Sequence, residues 1–489
     1  MAAACAACSR SPKPAVERVA LLPFENLTGD TALDWISSAG PTIVNDELLG
    51  GTAHAVPVQA MALRDAYASG ATQLVHGYVE RRRQGFHFEF VVEDAQTHKM
   101  LQTMASDGDP LPSLDRLAKQ IDTAAHAFSS TNSEAVAAWA KGDYEKAVSL
   151  DPGFGAAWSS WVRTRAAAQN DPEARQQAID IAARALGQPS LQSPVDRVQL
   201  EFLSATLRQD EPAQERALTE LSRMMPHDLA LLGQLATREM NARRFSESAR
   251  YYAAILQEAP DDTEMWNQLG YAQALAGDLD SARKSFERYG SDPAHSANAL
   301  DSEGEAWFVN GKFAEAEKLF LAAHAKSSAL LGGADLLKAA YSHWLQGDLP
   351  GADKVFLQYM AFRGQQKDPL VLWRQAVWEY STGRPEAAVA RLSSVNGPAA
   401  NIAQAQLALW KDPSKLPHDP AALKQAYERA PPAGDGIPRV LYAAALAQAG
   451  QKDEARKLIA LWPLPGLEND PLLQSFVFPK YLELKRELK

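Results

Sequence analysis

Gly277-Asp278-Leu279-Asp280-Ser281-Ala282-Arg283-Lys284-Ser285-Phe286 decides the fold, because its grammar returns down the chain. A glycine followed by a polar residue recurs at Gly311-Lys312, Gly347-Asp348, Gly383-Arg384 and Gly450-Gln451, at spacings of 34, 36, 36 and then 67 residues, the last close to two periods. Five residues after each glycine stands an alanine: Ala282, Ala316, Ala352, Ala388 and Ala455. Four further on comes a large apolar residue: Phe286, Phe320, Phe356, Leu392 and Ile459. Glycine accepts φ > 0 and so ends a helix cheaply. The alanine suits a point where two helices cross closely. The large residue lies one turn on and shares its face. The pattern therefore predicts repeated pairs of helices.

A helix–turn–helix unit of about 34 residues with this grammar resembles the tetratricopeptide repeat. Trp266, Leu269 and Gly270 fit a first helix of that frame, and Pro260 closes the unit before it. Arg243-Arg244, Ser248 and Tyr252 form a variant without the glycine. The frame projects units starting near residues 155, 195, 229, 263, 297, 333, 369, 402 and 436, about nine in all, with those at 155, 195 and 402 degenerate. Trp139 to Pro152, with Gly142-Asp143 and Ala147, reads as a truncated unit. The resemblance implies an all-α superhelical solenoid over residues 133–463. Residues 464–489 read as a capping helix, with Tyr481, Leu482 and Leu484 as its apolar positions.

The opening of the chain has a different rhythm. Val19 to Phe24 is a short buried-strand pattern, closed by the turn Asn26-Leu27-Thr28-Gly29-Asp30. Helical patterns follow at Leu33–Leu49 and Met61–Ala68, with a strand between them at His54–Val58. Leu74–Glu80 and Phe86–Val92 alternate around Gln84-Gly85 as a hairpin, placing Phe86, Phe88, Phe90 and Val92 on one face. A last helix is expected over Ser113–Phe128. Strands alternating with helices predict a compact α/β domain over residues 18–128. Val19 to Asp30, followed by Leu33-Asp34-Trp35, resembles the start of TolB-like amino-terminal domains, and Gly77-Tyr78 resembles a later strand of that family. Similar domains in bacterial proteins often precede tetratricopeptide arrays. Some carry winged-helix, cyclase or kinase modules, which have no counterpart in this sequence.

At 489 residues the chain has material for several cores. Its 60 acidic against 49 basic side chains give a net charge of −11, which argues against general nucleic-acid binding. No apolar run approaches the ~18 residues that span a membrane. A phosphate-cradling loop, a two-histidine zinc motif and a nucleophile elbow are all missing from the sequence. Gly50-Gly51-Thr52 reads as a turn. The hairpin is expected to bring His76 and His87 near each other but offers no third ligand, which favours a structural role over a metal site. Arg81-Arg82-Arg83 reads as a solvated loop before it reads as an anion grip. No cofactor, metal or enzymatic activity is expected.

Cys5 and Cys8 are the only cysteines. Ala6-Ala7 before Cys8 and the polar stretch Ser9 to Pro14 after it look like the boundary of a bacterial lipidation signal. The basic and apolar parts of such a signal belong upstream, and only seven residues precede Cys8. Residues 1–17 therefore read either as a truncated lipoprotein tether anchored through Cys8, on the periplasmic side of the cell envelope, or as a plain tail of a cytoplasmic protein. A redox or metal pair is the remaining alternative.

In tetratricopeptide proteins the first helix of each pair lines the inner wall. Carried onto this frame, that wall presents Asn267, Tyr271, Asp301, Glu305, Tyr341, Trp344, Trp373 and Tyr380. The expected function is a non-catalytic scaffold that holds a protein or peptide. Its partner would offer apolar side chains to the aromatics and a basic residue to Asp301 and Glu305. The alternative is a sensor whose α/β head reads a small ligand and relays to a separate kinase, cyclase or transcription regulator.

Overall fold

The computed structural model describes residues 17–50, 55–59, 62–83, 85–168, 171–465 and 471–489. The stretch before residue 17 with Cys5 and Cys8, the pair Gly51-Thr52, and His54, Met61 and residues 467–470 lie outside the described residues. The fold is a small amino-terminal sheet domain followed by a long run of helices, divided between two compact units. One takes the chain to Leu235 together with Gln257–Asp261; the other holds Ala236–Leu256 and Asp262–Lys489.

The first unit opens with a mixed sheet. Strands β1 (Glu17–Leu21), β2 (Glu25–Asn26), β3 (Ala55–Gln59), β4 (Gln73–Arg82), β5 (Gly85–Asp94) and β6 (Met100–Asp107) follow the spatial order β3-β1-β4-β5-β6, with β2 against β4. β1 runs parallel to both β3 and β4, and β4-β5-β6 is an antiparallel meander. Phe88, Phe90 and Val92 are buried on one face of β5, as their alternation requires. Strand β6 had no signal in the sequence. Its residues are mostly exposed and only Met104 is well buried, so apolar alternation is lacking. Helices α1 (Trp35–Leu49), α2 (Leu63–Ala68) and α3 (Pro110–Ile121) accompany the sheet. The last ends seven residues before the expected Phe128, because Asp122 turns to an extended backbone.

Helices α4 (Ser133–Ala140), α5 (Tyr144–Leu150), α6 (Gly155–Ala166), α7 (Pro172–Leu186), α8 (Pro194–Arg208) and α9 (Glu211–Met224) complete this unit, with α10 (Leu229–Asn241) beginning at its end. One apolar core runs from Val19 and Val75 through Ile43, Leu48 and Leu114 to Phe154, Trp158 and Leu200. The sheet and the first helical pairs therefore share a single interior. Glu47 clamps the junction: its carbonyl accepts from His126 N at 3.0 Å and its carboxylate from Phe128 N at 3.0 Å.

The second unit continues with α11 (Phe245–Glu258), α12 (Thr263–Leu275), α13 (Leu279–Tyr289), α14 (Ser296–Val309), α15 (Phe313–Lys326), α16 (Ala334–Leu345) and α17 (Leu349–Gln365). After them come α18 (Val371–Ser381), α19 (Pro385–Ser393), α20 (Ala400–Lys411), α21 (Pro420–Arg429), α22 (Gly436–Gln448), α23 (Lys452–Leu458) and α24 (Gln474–Glu487). The repeated sequence grammar sits where physics needs it. Gly277, Gly311, Gly347, Gly383 and Gly450 all have φ between 77° and 98° and separate the two helices of a pair. Ala282, Ala316, Ala352, Ala388 and Ala455 are buried at the crossings. A Cβ on Gly270 would lie 2.6 Å from the Phe286 ring, and one on Gly304 2.7 Å from the Phe320 ring, so each glycine seats the aromatic of its partner helix. Where the turn glycine is absent, Arg243 itself adopts φ 59°. There Ser248 replaces the crossing alanine and donates to Ala236 O at 2.8 Å.

Candidate functional site: the aromatic face of α16 and α18

Helices α12, α14, α16 and α18 carry the eight residues singled out for the groove. Asn267, Asp301, Glu305, Tyr341 and Trp373 are buried; Tyr271, Trp344 and Tyr380 are half-buried. Residues one turn apart on a first helix also meet the neighbouring first helix, and that neighbour claims most of them.

A cation does stand opposite Asp301 and Glu305, and it is Lys338 of the chain itself. The Lys338 ammonium donates to both Asp301 oxygens at 2.7 Å and to Glu305 Oε1 at 2.6 Å, with no exposed side-chain surface. Tyr271 OH donates to Glu305 Oε2 at 2.7 Å. Burial opposes the Lys338 charge, yet Glu305 and Asp301 outweigh it and hold its pKa above the usual value. Asp301 is pushed up to about 7, chiefly by burial and against the pull of Lys338. Burial likewise raises Asp335 beside them. Because this network is closed by the chain's own lysine, it gives no reason for a partner to carry a basic residue.

The aromatics are held by the chain's carboxyl-terminal segment. Phe478 of α24 stacks on Tyr341 at 4.6 Å and stands edge-on to Phe308 at 6.3 Å. Tyr380 stacks on Trp410 at 4.4 Å, with Phe476 at 5.5 Å. Trp373 Nε1 donates to Gln406 Oε1 at 3.3 Å, Gln406 donates to Leu472 O at 2.9 Å, and Trp410 Nε1 to Ser475 Oγ at 2.9 Å. Proline 479 has no N–H, which leaves Ser475 C=O without its helical donor, and Ser381 Oγ donates to it at 3.5 Å. Upstream of α24, Trp462 N donates to Val309 O at 2.8 Å and its ring meets Phe313 at 4.8 Å. The expected capping helix thus does more than cover the last pair. It lies against first helices from α14 to α22 and occupies the apolar wall that a peptide was expected to fill.

Two of the three half-buried residues border a common opening. Trp344 and Tyr380, with Pro385, Pro479 and Leu482, line a cleft of about 600 Å³ between α24 and the turn from α18 to α19. Neither the Trp344 indole N–H nor the Tyr380 hydroxyl has a hydrogen-bond partner among the described residues. The cleft is apolar in body and offers donors, which is binding chemistry.

In the sheet domain the candidate histidines and arginines find internal partners. His76 pairs with Glu93 at 3.4 Å and His87 with Asp107 at 2.7 Å, so the two histidines do not converge. Arg81 pairs with Asp30 at 3.0 Å and Arg82 with Glu80 at 2.8 Å. Among the described residues no group of three or more His, Cys, Asp or Glu is arranged to hold a metal ion. No helix there is long and apolar enough to cross a membrane. Cys8 lies outside the described residues. No protein-family model matches the chain, and a search of curated proteins returns no match.

Proposed function

We propose that this chain is a non-catalytic interaction scaffold: a TolB-like head joined to a tetratricopeptide-type solenoid that binds a protein or peptide segment. The observation that carries the reading is the cleft beside α24. There two large aromatics, Trp344 and Tyr380, keep exposed surface and unpartnered donors while Tyr341 and Trp373 on the same helices are buried. Aromatic residues with an apolar body and a polar tip are the side chains that most often anchor a bound segment. The regular glycine turns and alanine crossings support the solenoid, whose stacked helices present extended surface. The wall's acceptance of an aromatic helix, α24, supports an apolar or aromatic segment as the kind of ligand it suits. Envelope attachment through a lipidated Cys8 belongs to the proposal and rests on the sequence around that residue.

The test is affinity capture from the native organism with wild-type chain and with the double variant Trp344→Ala, Tyr380→Ala. Both positions are half-buried, so the array should stay folded by circular dichroism. A partner lost from the folded double variant supports the scaffold, and one captured equally by both chains contradicts the assignment of the surface.

A further inference from the structure

The cleft that Trp344 and Tyr380 line has a chemical bias that the scaffold reading does not use. Its second wall is one face of α24, where Pro479, Leu482 and Arg486 fall three or four residues apart and Lys489 extends the row. The opposite face, Val477, Tyr481, Leu484 and Leu488, is buried against α22 and fixes the helix in rotation. Lys485 completes the rim, its ammonium 5.8 Å from the Trp462 ring and 5.4 Å from the Tyr481 ring. Three cationic side chains therefore line one apolar slot in a chain of net charge −11.

None of the three has a carboxylate partner among the described residues, whereas the neighbouring cations are engaged. Lys480 pairs with Glu483 at 2.8 Å, Arg384 with Asp353 at 2.7 Å and Arg439 with Asp435 at 2.8 Å. No Asp or Glu lines the cleft. Burial, and after it the nearby Arg439, hold the Lys485 pKa below its usual value. The hydroxyls of Ser381 and Thr382 are turned inward, donating to Ser475 O and Trp378 O. What the cleft offers a ligand is thus an apolar floor, two free neutral donors and a cationic rim. That set complements carboxylates next to an apolar side chain.

We infer that the Trp344–Tyr380 cleft binds an acidic peptide segment, with a Leu, Phe or Trp side chain between the aromatics and Pro479 and its Asp or Glu residues on Lys485, Arg486 and Lys489. This rests on the scaffold reading and deepens it. Three cations near a helix carboxyl terminus also favour the helix dipole, so the test must read binding separately from stability.

The full-length chain and its variant Arg486→Glu, Lys489→Glu are each used to select from a displayed random peptide library. Both changed residues are exposed, which keeps the fold testable by its melting curve. The expected wild-type pool is rich in Asp and Glu flanking one aromatic or Leu residue. Affinity of a selected peptide should fall on the order of tenfold in the variant and weaken with added salt. A neutral apolar pool that binds both chains equally would overturn the acidic assignment and leave the scaffold intact. An empty pool would overturn both. Vesicles with anionic lipid that bind wild type but not the variant, with no peptide selected, would assign the rim to a membrane surface instead.

Discussion

Phe478 lies over Tyr341 with ring centroids 4.6 Å apart and planes 26° from parallel, joining the carboxyl-terminal helix to the middle of the helical array. Both rings are buried, and Trp378 stands edge-on to Tyr341 at 5.0 Å. Phe478→Ala should therefore cost about 3–5 kcal/mol, the range for a buried aromatic. Tyr341→Ala combined with it should cost less than the sum, by roughly 0.5–1.5 kcal/mol. Urea denaturation of the four chains, followed by tryptophan fluorescence, measures both; strict additivity would deny the contact.

Lys338 makes the second unit sensitive to charge. Lys338→Met leaves Asp301 and Glu305 buried without their cation and should destabilise by roughly 3–5 kcal/mol. The loss should be smaller at pH 5 than at pH 8, because Asp301, pushed up to about 7 chiefly by burial, takes a proton at low pH instead of standing as an unpaired anion. Replacing all three together, Lys338→Met with Asp301→Leu and Glu305→Met, should recover most of the loss. Denaturation curves at the two pH values check this; a triple variant no better than the single one would count against the network.

Glu47 gives the first unit its own pH signature. Burial, with Asp115 and Asp46 nearby, raises its pKa from 4.5 to about 8, against the hydrogen bond from Phe128 N. A carboxyl with a raised folded pKa binds more protons folded than unfolded in that interval. Its contribution is full below about pH 4.5 and is lost as pH rises toward 8. Glu47→Gln keeps an acceptor for Phe128 and removes the titration. The stability difference between variant and wild type should therefore grow in the variant's favour from pH 5 to pH 8. A flat difference across that range would show that the side chain is not held as the neutral acid.

Ala316 tests the crossing geometry. Ala316→Trp overfills a fully buried contact between α14 and α15 and should cost roughly 1–3 kcal/mol or more. Because each helical pair packs chiefly on its neighbours, hydrogen exchange should quicken around residues 296–345 and stay unchanged over residues 17–128. Uniform loss of protection over both would contradict local propagation.

The pairing of helices was legible because its signals are local: glycine at a left-handed turn, alanine five residues on, a large apolar residue after that. Strand β1 and the β4–β5 hairpin were legible for the same reason, as runs of Val, Leu and Phe with the right period. What escaped were features that depend on distant neighbours. β6 is held by β5 rather than by its own apolar content. Arg243 takes a glycine's conformation because its guanidinium stacks 3.9 Å from the Tyr427 ring and pairs with Asp435 at 3.1 Å. The candidate site was half legible. The resemblance to the tetratricopeptide frame points to Trp344 and Tyr380, but nothing in that frame tells that Lys338 closes on Asp301 and Glu305. A lysine inside the apolar run Leu336-Leu337-Lys338-Ala339-Ala340-Tyr341 was the available signal. Phe476-Val477-Phe478, too apolar for a mere solvent-facing cap, was the signal for the role of α24.

The measurement that most directly tests the scaffold is site-specific photo-crosslinking in living cells, with p-benzoylphenylalanine placed at Trp344 in one chain and at Leu357 in another. Leu357 lies on α17 and is 58% exposed, a control for random collision. The expected result is a discrete covalent adduct with another protein from position 344 and none from 357. No adduct at 344, or the same adducts from both positions, would contradict the assignment of the Trp344–Tyr380 cleft as the binding surface.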